Sequence, residues 1–249
     1  YTRRGIMSNR KNYNFDMLVS SRYNADHSFV HKFGAVPAMS GSATGTVWDI
    51  DDTVYPWDAL TSLDPTGDVV NITAVAADDE LVVVVQGLDA DYMPVEETIT
   101  LNGTADTLGT KKFIRINRAF VTTGTNTKDI DIEAGGPGGT VVARISEGLA
   151  QTLMAVYTVP AHCTGYLHRG TGSIGGTGDA SGFMMVRQHG QDNFRVGHTF
   201  EVTGAGGQYH YDFAFPIPIA EKSDIDIRAT VRSNNTRVTI AFDLLLVDD

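Results

Sequence analysis

Asp129-Ile-Asp-Ile-Glu133 is the stretch on which the fold class turns. Ile130 and Ile132 alternate with acids, so one face of the segment is apolar and the other charged. A period of two of this kind belongs to a half-buried strand. Working outward, short strand-like runs recur at intervals of roughly ten residues. Upstream are Val69 to Ala76, Glu80 to Gly87, Val95 to Leu101 and Phe113 to Val121. Downstream come Val141 to Ile145, Leu153 to Val159, Thr164 to His168, Phe183 to Gln188 and Phe194 to Val202. Tyr209 to Phe215, Ile225 to Val231 and Val238 to Val247 complete the series. Asn102-Gly103, Gly204 to Gly207 and Asn234-Asn235 supply turn chemistry between them. No amphipathic helix longer than about two turns is present. The reading is an all-β chain of antiparallel β-sandwich or jelly-roll architecture.

Residues 1–46 show neither period and are rich in Asn, Ser and Arg, ending in the small-residue run Ala38 to Thr46. They read as an extended arm ordered by a partner. Two sandwich domains then follow, 47–150 and 151–249, with the boundary near Gly148. Met7 followed by Ser8 would suit a natural start, which would make Tyr1 to Ile6 a leader; the sequence leaves this open.

The 249 residues suffice for one large domain or two small ones with a sizeable core. A single cysteine, Cys163, excludes an internal disulfide and a cysteine metal cluster, so packing alone must hold the fold. No apolar run approaches the ~20 residues of a membrane span. A net charge of −11 argues against nucleic acid as a general partner. Its distribution is uneven. Residues 1–32 carry six basic residues (Arg3, Arg4, Arg10, Lys11, Arg22, Lys32) against Asp16 and Asp26, a net of +4. Residues 33–110 carry fourteen acids and no Lys or Arg.

Within that acidic block, Trp48-Asp-Ile-Asp-Asp-Thr-Val54 places Asp49, Asp51 and Thr53 in Asp-x-Asp-x-Thr register. The pattern resembles the nucleophile motif of haloacid dehalogenase-like phosphatases, whose carboxylates sit at the end of a buried parallel strand. Here the preceding residues are Gly41-Ser-Ala-Thr-Gly-Thr-Val47, no aliphatic run, and Tyr55-Pro56-Trp57 opens no helix. Asp78-Asp79 lies close behind, and no Lys stands between Lys32 and Lys111 to steady a phosphate. A calcium loop fails for want of Gly at its sixth position and Glu at its twelfth. The segment reads as a loop whose acids face water or a basic partner, anchored by burial of Trp48 and Trp57.

The other constellations are weaker. Seven His show no metal-ligand spacing, though His168, His189 and His198 could meet across strands. Cys163 beside His162 lacks an orienting group and reads as a buried or loop thiol. Gly170 to Gly178 has no Lys-Ser/Thr after it and reads as a hairpin tip. Tyr209, Tyr211, Phe213 and Phe215 share one strand face, which suits a sugar platform and suits a sandwich core better.

Several longer phrases resemble virion structural proteins of marine tailed phages, chiefly short-tailed ones. They are Gln86 to Gly103, Phe113 to Val121, Leu153 to Pro160, Glu221 to Ala229 and Ser233 to Asp249, and the likeness covers roughly residues 30–249. What it implies is a non-enzymatic part of a virion assembled in the host cytoplasm, a capsid decoration or cement protein clamping neighbouring shell subunits. A tail-associated or head–tail adaptor protein is one alternative, and a carbohydrate-binding or host-adhesion module another. The expected partners are copies of itself in a trimer, and the major capsid protein or other virion proteins, with no nucleic acid or membrane. No catalytic residue, cofactor or metal is expected. The candidate contact residues are Arg3, Arg4, Arg10, Lys11, Arg22 and Lys32 of the arm, with Trp48, Asp49, Asp51, Asp52 and Trp57 after it.

Overall fold

The computed structural model describes residues 15–20, 26–50, 52–74, 81–103, 105–176, 178–204 and 206–249. A short helix, α1 (Phe15–Ser20), precedes β1 (His27–Met39) and β2 (Thr44–Thr46). Then come β3 (Val70–Ala74), β4 (Val82–Leu88), β5 (Pro94–Thr100), β6 (Thr107–Leu108), β7 (Arg115–Val121), β8 (Ile130–Ala134) and β9 (Val141–Ile145). The chain continues through β10 (Val156–Thr158), β11 (Cys163–Gly175), β12 (Ala180–Arg187) and β13 (Arg195–Val202). It ends in β14 (Gln208–Ile219), β15 (Asp224–Val231) and β16 (Thr236–Asp248). Every paired ladder is antiparallel. Among the described residues no helix is long and apolar enough to cross a membrane.

One sheet runs β1-β16-β11-β14. The second runs β10-β15-β12-β13, with β2 also on β15. Counting only β1, β2 and β11 to β16, the strands lie in the order 1-8-3-6 facing 2-7-4-5. That is a jelly roll, eight strands wound as two Greek keys. Its core comes from alternate residues of both sheets. Val238, Ile240, Phe242, Leu244 and Leu246 of β16 meet Ile225, Ile227, Ala229 and Val231 of β15. At ~1.5–3 kcal/mol for each fully buried large side chain, β16 alone contributes on the order of 10 kcal/mol. This far exceeds what any exposed ion pair could add.

The second sandwich is inserted between β2 and β11. Its sheets, β6-β3-β8-β9 and β5-β4-β7, share a separate core built on Ile72, Val83, Val85, Phe113, Ile116, Ile130 and Ile132. In β8, Ile130 and Ile132 are buried while Asp131 and Glu133 are half-buried, the pattern expected from alternation. The chain enters and leaves the insert side by side. Ala155 N–H donates to Val47 O (2.9 Å), Trp48 bridges to Met154, and Val47 N–H donates to Ile227 O of β15 (2.8 Å). This neck joins the two cores.

The extended-arm reading is corrected from residue 27 onward. Residues 27–46 supply two strands of the jelly roll, β1 pairing with β16 from His27↔Val247 to Met39↔Thr236. Alternation failed as a signal there because Lys32 and Gly34 share the inward parity of Val30 and Val36. Pro37, which cannot donate to a ladder, falls in the irregular register between Val36 and Met39. Residues 1–14 and 21–25 of the arm lie outside the described residues.

Gly34 is required by the neck. A Cβ there would stand 2.1 Å from Val47 O and 2.4 Å from Ala155 N, between the atoms of the bond that ties entry to exit. Gly34→Ala should therefore lower stability by about 1–3 kcal/mol or more, as overpacking against backbone does. Urea denaturation checks this, and an unchanged midpoint would mean that β1 does not lie against the neck.

Candidate functional site

The acidic-aromatic segment after β2 threads the junction between the two sandwiches. Thr46 N–H donates to Thr53 O (2.9 Å), closing a loop over Val47 to Asp52. Trp48 Nε1 donates to Thr53 Oγ1 (3.1 Å), and the Thr53 hydroxyl donates to Ile50 O (3.2 Å). Asp52, at φ 51, accepts the Ser40 N–H on both carboxylate oxygens. Of the Asp-x-Asp-x-Thr positions, Thr53 is thus used for local loop bonding. Asp51 and the Asp78-Asp79 pair lie outside the described residues.

Asp49 sits in the neck, 8% exposed, with Oδ2 accepting Leu153 N–H at 2.8 Å. Burial raises its pKa to about 7, opposed by the Leu153 bond, the Ser146 hydroxyl and Arg144. Beyond it, Trp48, Tyr55 and Trp57 pack edge to face with ring centroids 5.1 and 4.8 Å apart.

Two acids of β15 organise this junction. Ile225 and Ile227 point into the jelly-roll core, so Asp224 and Asp226 point out of that sheet toward the insert, where both are buried. Arg115 of β7 grips Asp224 in a fork, Nε to Oδ1 at 2.8 Å and an Nη to Oδ2 at 3.1 Å. Arg187 Nε (2.9 Å) and the Thr158 hydroxyl (2.7 Å) also donate to Asp224. Asp226, 0% exposed, accepts from Thr46 Oγ1 (2.8 Å), Trp57 Nε1 (3.1 Å) and Arg228 Nε (2.9 Å). Arg187 reaches on to Asp58 at 3.1 Å.

Of the contact residues expected from sequence, the five that the structure describes turn inward to differing degrees. Lys32, Trp48, Asp49 and Trp57 are all buried within the molecule, and Asp52 is half-buried on Ser40. Burial anchors both tryptophans, whereas Asp49 does not face water. Arg3, Arg4, Arg10, Lys11 and Arg22 lie outside the described residues. Acids of the block also find internal partners. Asp58 pairs with Arg187 and Asp64 with Lys112, while Glu97 accepts the Thr110 and Lys111 N–H groups. The counter-charges come from residues far downstream, which a segment-by-segment charge count does not reveal.

The aromatic face of β14 divides. Tyr209 and Phe213 pack against the core, while Tyr211 is 46% and Phe215 90% exposed. For Phe215 the cause is register. Arg169 opposes Asp212 and Leu167 opposes Ile217, so Phe213 to Pro216 of β14 face one residue of β11 and bulge outward. His198 of β13 bonds the Tyr209 hydroxyl (2.6 Å) and packs on Tyr211 and Phe213, and burial lowers its pKa. His189 packs on Tyr92 instead, and His168 lines a separate hollow beside Arg169. Among the described residues no three His, Cys, Asp or Glu are grouped to hold a metal ion.

No protein-family model and no curated protein matches this sequence. Two solved structures align over 89% of this chain and 72% of theirs. One is of infectious bursal disease virus Gt strain (TM-score 0.22, 9% identity), the other of the VP2 subviral particle of infectious bursal disease virus (0.21, 8%). Likeness at this level carries no argument about function.

Asp49 generates a signed pH prediction. Its folded pKa lies above the ordinary carboxylate value, so the parent loses stability as pH rises from about 4 to about 7. Asn keeps an acceptor for Leu153 N–H and cannot ionise. Asp49→Asn should therefore stabilise the protein at about pH 8, with the gain shrinking toward pH 4. Urea midpoints at several pH values test this; a difference independent of pH would refute it.

Proposed function

We propose that this chain is a non-enzymatic structural subunit of a phage virion, a decoration or cement protein that clamps neighbouring capsid subunits. The observation that carries the reading is the jelly roll with a second sandwich inserted between its second and third strands. Jelly rolls recur in viral capsid and lectin domains, so this support is a fold-level analogy. The phrases resembling virion proteins of marine tailed phages narrow it to a phage particle. In this reading the partners are other copies of the chain, as a trimer, and the shell. The contact surface moves from the buried acidic segment to the β14 ridge of Tyr211 and Phe215, joined by the basic residues of 1–14.

A glycan-binding reading takes support from the same ridge, because exposed aromatics beside Asp212, His210 and Arg169 suit a sugar face. A head–tail adaptor is separated by location. Imaging of labelled virions should show a decorator spread over the shell, and a single ring at one vertex would favour the adaptor instead.

The paired substitution Tyr211→Ser and Phe215→Ser should leave thermal stability nearly unchanged, since both side chains are exposed. Binding to undecorated particles should fall at least tenfold, as loss of an aromatic anchor does. Normal binding would remove the ridge from the contact, and hits on a glycan array that vanish in the same variant would favour the lectin reading. Deleting residues 1–14, which removes no residue of a described strand, should weaken attachment and flatten its dependence on salt. Unaltered attachment at low and high salt would eliminate the basic segment as a clamp.

A further inference from the structure

Between β1 and the β4-β5-β7 sheet of the insert lies a cleft of about 520 Å³. Its walls are mixed, Phe29, Leu88, Val95, Tyr157 and Pro160 on the apolar side and His31, Lys32, Gln86, Glu96, Asn117 and Arg118 on the polar side. Lys32 enters it from β1 and is 8% exposed. Its Nζ donates to the Asn117 carbonyl, and no carboxylate bonds it among the described residues. An ammonium has three donors, so one neutral acceptor leaves two of them unused. The second cation of the cleft, Arg118, donates to Gln151 (2.7 Å) and packs over Phe120. Neither acid near the cleft answers these charges. Glu96 accepts from Gln86 (2.7 Å), and Asp243 holds His31 (2.5 Å).

A buried cation without a counter-ion is costly, and proteins resolve it by losing the proton or by taking up an anion. Lys32 shows the first response: burial, then repulsion from Arg118, lowers its pKa to about 7. We propose that this cleft binds a small carboxylate with an apolar body, the carboxylate bonding Lys32 Nζ and Arg118 and the body lying against Tyr157, Leu88 and Val95. The volume falls within the ~300–1,000 Å³ of small-molecule sites, and its apolar side and its two cations suit the two ends of such a molecule. A charge-assisted bond to Lys32 fixes orientation, and the walls set the preference for an apolar body over a bare inorganic anion.

Calorimetric titration of the whole chain with hexanoate and benzoate, against hexanamide, benzamide and inorganic phosphate, tests this. Both carboxylates should bind with affinities in the millimolar range or better, and the amides and phosphate at least tenfold more weakly. Lys32→Met, which puts an apolar chain of similar length in a buried place, should keep the fold by circular dichroism and abolish the carboxylate preference. Arg118→Gln, at an exposed position, should weaken the carboxylates without affecting the fold. The proposal is overturned if amides or phosphate bind as well as the carboxylates, if Lys32→Met retains their affinity, or if neither carboxylate binds at about 10 mM.

Discussion

Asp224 and Asp226 leave the central β15 strand on the face away from the jelly-roll core, into space that the insert closes off from water. Two buried carboxylates repel each other and lose hydration, so they persist only if cations and donors meet them. Those come from five places in the chain: Arg115 of the insert, Thr158 of β10, Arg187 of β12, Arg228 of β15 itself, and Trp57 and Thr46 beside the neck. Replacing a buried ion network by apolar residues is often neutral or stabilising, whereas removing one partner costs about 3–5 kcal/mol. That is a large part of the ~5–15 kcal/mol by which a domain is stable. The network therefore acts mainly on specificity. It penalises every seating of the insert that leaves a carboxylate or guanidinium unmatched, and it makes two separate cores one object.

The same network marks where sequence reasoning succeeds and where it stops. Asp129-Ile-Asp-Ile-Glu133 and Asp224-Ile-Asp-Ile-Arg228 carry the same alternation and both form strands. In β8 the acids look half outward and Asp131 takes Arg144 (2.6 Å). In β15 they are buried against a second domain. Alternation reports two unlike faces and the fold class follows from it; it does not report whether the polar face meets water or another domain. β1 was hidden for the opposite reason. Its inward positions hold Lys32 and Gly34, chosen by the cleft and the neck rather than by a core, so the apolar period never develops.

Among the described candidate residues, residue type is legible in the sequence and setting is not. Burial of Trp48 and Trp57 follows from their size and surroundings, and the loop character of the Asp-x-Asp-x-Thr stretch follows from its neighbours. The external role assigned to the acids rested on counting charge along the chain, while pairing is decided across the fold, as Asp58 with Arg187 shows. The exposure of Phe215 depends on an irregular register with β11 that no periodicity encodes. Lys32 was counted as part of a basic arm, and only the placement of Asn117 and Tyr157 around it makes a cleft of its surroundings.

The ridge on β14 also says what kind of contact it permits. An edge strand invites pairing with another chain through its free N–H and C=O groups, a hazard that natural sheets blunt with bulges, charges and proline. β14 carries all three: the Phe213 to Pro216 bulge, Asp212 held by Arg169 (2.6 Å), and Pro216 and Pro218, which donate nothing. Continuous strand addition along this edge is thereby disfavoured. What remains on offer is side-chain contact through Tyr211, which stays in register opposite Gly170, and through Phe215 in the bulge. The edge thus combines an interrupted ladder with two exposed aromatic side chains.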